Sequence, residues 1–208
     1  MPHGKLKLFC YYYMFAVMHE LAHIMTSFIL GVEVKEITLL PVGVNARYEG
    51  NISKVKEFVI SLAGPLASFL FAILLQDKLH TIMNLSIAIF NLIPIYPMDG
   101  GKILRSVIYF ILMKKAKNKK SFEEGNPMSM QNAKKDLAVE LAKMRARKIS
   151  NQVTKFWMIL MILLSLAFAA FAKNYFFAVL SAYIYYIAKD ELKKEKFFEI
   201  FNYLQKEE

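Results

Sequence analysis

Residues 19–23 read His19-Glu20-Leu21-Ala22-His23, an H-E-x-x-H motif, and they sit inside an otherwise apolar run from about Leu6 to Leu30. A run of that length crosses a bilayer as a helix, since a span needs about 20 residues. This setting constrains the chain more than any other feature, because ionisable groups at bilayer depth are costly and are kept for function. On a helix, residues four apart share a face, so both imidazoles can reach one Zn²⁺. Glu20, one residue along, is placed to hold the water that becomes the nucleophile. The pattern is that of a zinc metalloprotease. The competing reading is a chance match whose histidines only bond their neighbours.

Composition sharpens the membrane argument. The 208 residues are 56% hydrophobic and 14% aromatic, above the usual share for a soluble domain and in keeping with a multi-pass membrane protein. The single cysteine, Cys10, excludes a disulfide framework and Cys-rich zinc sites, which leaves His and carboxylate as metal ligands. The net charge of +10 falls in the links between apolar runs, so it reads as a topology signal and not as nucleic-acid binding. Lys5 and Lys7 before an apolar run imitate a signal peptide, but no cleavage site follows. The run is expected to be a retained span that closes at Gly31.

Beyond it, residues 32–56 hold short β-like pieces broken by Pro41 and Gly43, which predict a small hairpin at the membrane face. Phe58 to Gln76 reads as a second span, interrupted at Gly64-Pro65. Such a break either faces the protein interior or is a packing kink. Thr81 to Met113 is too long for one straight span and too short for two, and it is broken at Pro94, Pro97 and Asp99-Gly100-Gly101. One discontinuous helix is expected there. Residues 114–155 are basic, with a helix over about 131–148 whose Leu137, Leu141 and Met144 share one face. That helix suits either an anionic lipid surface or a solvated linker. Apolar runs from Phe156 to Ala172 and Tyr175 to Ala188 predict a transmembrane hairpin, and 189–208 an amphipathic tail.

The fold expected is therefore an all-α polytopic membrane protein, with about five to six transmembrane helices, one of them broken, and a small membrane-associated β-hairpin. Residues 1–113 would form the catalytic core, 114–155 a basic loop, 156–189 the hairpin of spans and 190–208 the tail. With five spans, one side of the membrane collects 21 basic residues and the other 4. The positive-inside rule puts the β-hairpin and the basic loop in the cytosol of a cell-membrane protein.

Two histidines leave a catalytic zinc one protein ligand short. Asp99 is the natural third, the one carboxylate inside a long apolar segment elsewhere, with glycines beside it that permit close approach. Glu20 would act as general base on the water and return the proton to the leaving amine. His80, in a polar connector, is a competing ligand better read as exposed or satisfied, and His3 as an exposed terminal residue.

These features taken together resemble the site-2 protease (M50) family of intramembrane zinc metalloproteases. They are the H-E-x-x-H, the Leu39-Leu40-Pro41 segment, Gly64-Pro65, and Asn91-Leu92-Ile93-Pro94-Ile95-Tyr96-Pro97-Met98-Asp99-Gly100-Gly101. Within the family the likeness is to the stage IV sporulation protein FB type. The resemblance implies one Zn²⁺ per chain on His19, His23 and Asp99, with Glu20 as catalytic base. It implies that Asn91 and Pro94 shape the break near the site, and that the hairpin and Gly64-Pro65 help present an unwound substrate. The substrate implied is a membrane-tethered protein, a pro-sigma factor in sporulation, cut by regulated intramembrane proteolysis; an inhibitory membrane-protein partner would fit the same picture. The family often has a further helix before the H-E-x-x-H span and a nucleotide-sensing CBS domain at its C-terminus, neither of which is expected here. It also often has Asn where this chain has Ser68. The alternatives are a general site-2 protease cutting anti-sigma factors or remnant signal peptides, and a non-catalytic membrane scaffold or metal-handling protein.

Overall fold

The computed structural model describes residues 3–40, 43–48, 52–120, 128–172 and 176–204. Contacts divide the chain into two compact units, residues 1–93 and 94–208.

The first unit begins with α1, His3–Ile29, which carries the H-E-x-x-H in its second half. Its end is set by Gly31, whose φ of 62° is a left-handed conformation that glycine adopts without strain. There Val32 N–H donates to Ser27 O at 2.8 Å and Gly31 N–H to Phe28 O at 3.0 Å, a Schellman closure. Strands β1 (Val34–Leu40) and β2 (Gly43–Tyr48) then pair antiparallel, from Val34 opposite Tyr48 to Leu40 opposite Gly43, with an irregularity between Val34 and Glu36. Pro41 of the hairpin turn lies outside the described residues.

Helix α2 spans Lys54–Leu74. Ser53 caps it by accepting from Lys56 N–H at 3.3 Å, and Lys56 Nζ reaches back to Leu30 O at 2.6 Å, giving a partner to a carbonyl just past the end of α1. Its buried residues Ile60, Gly64, Ser68 and Ala72 recur every four positions, with Ser61 and Pro65 beside them. That row is the α2 face turned to the α1 histidines. Gly64-Pro65 does not interrupt the helix, contrary to expectation. Pro65 removes one N–H and so frees the Ser61 carbonyl, but the packing of this buried face keeps the helix continuous.

Helix α3, Lys78–Asn91, is capped by Asp77, which accepts from His80 N–H at 3.2 Å. That backbone bond holds the Asp77 carboxyl below its ordinary value. His80 itself lies against Asp77 at 2.8 Å and edge-on to the Tyr11 and Phe15 rings, so its side chain is engaged by its own cap and by α1.

The second unit opens with the Ile95–Met98 turn, which contains a cis Tyr96–Pro97 bond. Helix α4 follows from Asp99 to Lys120, then α5, Met128–Ala172, and α6, Phe176–Leu204. The break between Asn91 and Asp99 is thus real, flanked by helices on both sides. Two other expectations are corrected. The helix expected over 131–148 and the span expected from Phe156 are one continuous 45-residue helix, α5. No Gly or Pro lies in it to stop the helix between loop and span. The span from Tyr175 and the tail are likewise joined in α6. On α5 the buried residues, among those described, are Ala142, Ala146, Ser150, Thr154, Met158, Ser165 and Ala169, while Leu137, Leu141 and Met144 are exposed. Ser165 of α5 and Ser181 of α6 meet at 2.8 Å.

Among the described residues two helices are long and apolar enough to cross a membrane, Lys54–Leu74 and Leu137–Phe171. Helix α1 is not one of them. Every stretch of span length within it contains His19 and Glu20, which lower its apolar character.

Candidate metal centre

Both motif histidines are buried, His19 at 2% and His23 at 4% exposure. Being four residues apart on α1, they present their rings side by side, with centroids 4.9 Å apart and planes at 80°. The two Nε2 atoms converge to 3.3 Å. The two Nδ1 atoms point away from each other and are both engaged by α2. His23 Nδ1 lies 2.6 Å from Ile60 O, and a carbonyl only accepts, so Nδ1 carries the proton and Nε2 the lone pair. His19 Nδ1 lies 2.9 Å from Ser68 Oγ, which can accept in the same sense. His23 thus turns its Nε2 lone pair toward His19 Nε2, and with Ser68 Oγ accepting, both imidazoles take the form in which they bind a metal.

Gly64 explains how α2 comes so close. A Cβ at this position would overlap His23 Nε2 and stand 2.6 Å from His19 Nε2. Any side chain here would occupy the ground between the two nitrogens. The requirement is for open space beside a ligand pair, since the helix itself would tolerate alanine better than glycine. Pro65, beside it, is fully buried.

Glu20 is half-buried on α1, one residue round the helix from His19. Asn91 donates to Ile87 O at 3.0 Å, so its amide closes the last turn of α3. In the second unit, Pro94 is half-buried in the break, and Asp99 is the first residue of α4, 6% exposed, with Lys102 Nζ 3.8 Å from its Oδ1. A carboxylate in the first turn of a helix is favoured by the helix dipole. The described residues thus offer two buried imidazoles in the first unit and one buried carboxylate in the second. Two imidazoles and a carboxylate are a donor set that suits zinc and leaves a fourth position for water.

Of the residues expected at the site, His19, His23 and Asp99 are buried, Glu20 is half-buried and Gly64 lies against both imidazoles, while the contact of Ser68 with His19 is not among the expectations. The available signal was its spacing, since Ser68 follows Gly64 by four and must share its face.

Comparison with known proteins returns the family that the motifs suggested. A model of peptidase family M50 matches residues 78–131. The chain is 38% identical over 116 residues to a zinc metalloprotease of Methanocaldococcus jannaschii, a match covering 49% of this chain and 34% of that protein. It is 34% identical over 115 residues to stage IV sporulation protein FB of Bacillus subtilis, covering 49% of this chain and 40% of that protein. The chain thus spans less than half the length of these relatives.

Proposed function

We propose that this chain is a multi-pass zinc metalloprotease that hydrolyses a peptide bond in a membrane-associated protein. The observation that carries the proposal is the His19/His23 pair, with Nε2 atoms 3.3 Å apart and both Nδ1 atoms tied back by α2. A chance H-E-x-x-H has no reason to bring both Nε2 atoms together with both Nδ1 atoms engaged, nor to keep a side chain off Gly64. In this reading His19, His23 and Asp99 hold one Zn²⁺. The ion supplies a Lewis acid that lowers the pKa of water to about 7 and polarises the scissile carbonyl. Glu20 accepts the proton of the attacking water and delivers it to the leaving amine. Ser68 and the Ile60 carbonyl keep the imidazoles from rotating during that exchange.

The zinc metalloprotease relative favours peptide hydrolysis and the sporulation relative a role in sporulation; a pro-sigma factor is the substrate that the family resemblance implies. Helices α2 and α5 favour a site associated with the cell membrane, with the β-hairpin and the basic residues of α5 on the cytosolic side. The test is co-expression of the full chain with membrane-tethered pro-sigma substrates. Glu20→Gln, which keeps shape and removes the base, should reduce cleavage by at least about 100-fold. Cleavage unchanged in that variant would refute the mechanism.

A further inference from the structure

The turn that leads into Asp99 is gripped from α4 and α5. Tyr96 N–H donates to Thr154 Oγ1 at 3.1 Å, and Thr154 is fully buried. The Arg105 guanidinium lies 4.0 Å from the centre of the Tyr96 ring, and its Nη2 donates to Asn151 Oδ1 at 2.9 Å. Gly101 lets α4 pass against the same turn, because a Cβ there would stand 2.5 Å from Tyr96 N and 2.6 Å from the Ile95 carbonyl carbon. Ile95 is fully buried and Arg105 is 4% exposed. Tyr96 is therefore held at its amide by Thr154 and at its ring by an arginine that Asn151 orients. A guanidinium is expensive to bury, and here it packs on the ring of the turn residue Tyr96 while bonded to Asn151. Three residues after Tyr96 comes Asp99, and α4 starts with it. Displacing Tyr96 moves the start of α4 and the carboxylate on it.

We propose that Thr154, Asn151 and Arg105 are positioning residues for Asp99, fixing the Ile95–Met98 turn and so the direction of the Asp99 carboxylate. The proposal rests on the reading of Asp99 as a zinc ligand. It extends the working parts of the site into α5, beyond the residues 78–131 that the family model matches. Groups that orient metal ligands contribute about 10–100-fold to metal affinity, and these would act through Asp99 alone.

The experiment measures zinc affinity of the full chain in detergent by competition with a chromophoric chelator, comparing wild type, Asp99→Ala, Thr154→Val, Thr154→Ser and the double variant Asp99→Ala/Thr154→Val. Asp99→Ala and Thr154→Val should each weaken binding by about tenfold or more, and Thr154→Ser, which keeps the hydroxyl, should bind as wild type does. The double variant should be no weaker than Asp99→Ala, because a residue acting through Asp99 has nothing left to position. Wild-type affinity in Thr154→Val, or losses that add in the double variant, would overturn the proposal. Wild-type affinity in Asp99→Ala would instead overturn the ligand assignment beneath it. If Thr154→Val loses its helical circular dichroism, Asn151→Leu, which removes the Arg105 acceptor, carries the same comparison with Asp99→Ala.

Discussion

Gly64 is where one atom separates a working site from a filled one. Replacing a mid-helix glycine with alanine ordinarily stabilises a helix by about 1 kcal/mol. At this position the new methyl would meet both imidazole edges. Gly64→Ala should therefore keep or raise helix content while weakening zinc binding by about tenfold or more, as read by chelator competition alongside circular dichroism. Ser68→Ala leaves His19 Nδ1 without the hydroxyl it now meets at 2.9 Å. It should lower zinc affinity about 10–100-fold with little change in fold, measured in the same way. The candidate ligands are legible in the sequence because spacing defines a pair of histidines on a helix face, and because Asp99 is a lone carboxylate in an apolar stretch. Spacing puts Ser68 on the Gly64 face of α2 but does not assign it to His19. Which α2 residue meets His19 depends on how α1 and α2 cross, and nothing local to Ser68 states that.

Among the elements, α5 shows how packing selects a face that hydrophobic spacing does not. Leu137, Leu141 and Met144 form the apolar stripe visible in the sequence, and all are exposed, whereas Ala142, Ala146, Ser150 and Thr154 are buried. Small residues let helix backbones approach closely, the usual basis of helix association where water is absent. Ala146→Leu should accordingly cost about 1–3 kcal/mol by overpacking, and Leu141→Ala should stay within about 0.5 kcal/mol. Thermal unfolding of the purified chain in detergent distinguishes them. Helix α3 offers a pH test. The Asp77 carboxyl sits below its ordinary value because it accepts His80 N–H. A depressed carboxylate stabilises above its unfolded pKa, and that stability is lost as pH falls through the folded value. Asp77→Asn keeps a capping side chain and should flatten the acid side of the stability curve, leaving the neutral midpoint almost unchanged. The end of α1 at Gly31 and the break before Asp99 could be read from Gly and Pro. The continuity of α5 and α6 could not, since a change from polar to apolar sequence marks an environment and not a helix end.

For the whole molecule, the sequence supplied the class and overestimated how plainly each span declares itself. Of the five to six spans expected, two helices among the described residues are long and apolar enough by themselves. Helix α1 owes its ambiguity to the motif it carries, since the groups that give it chemistry lower its hydropathy. At 45 residues α5 is about 68 Å long, more than twice the roughly 30 Å hydrocarbon core, so a membrane-crossing α5 extends well outside it. Its basic half should face the cytosol by the positive-inside rule. With Cys10 replaced by serine, Lys143→Cys should react with a membrane-impermeant maleimide in inside-out vesicles and not in intact cells; labelling in intact cells would reverse the orientation. The central claim, that His19, His23 and Asp99 hold one catalytic zinc with Glu20 as its base, is tested most directly by zinc stoichiometry and peptide cleavage measured on the same purified proteins. One zinc per chain is expected in wild type and in Glu20→Gln, cleavage in wild type only, and neither zinc nor cleavage in His19→Ala/His23→Ala. Full zinc occupancy in the double-histidine variant would contradict it.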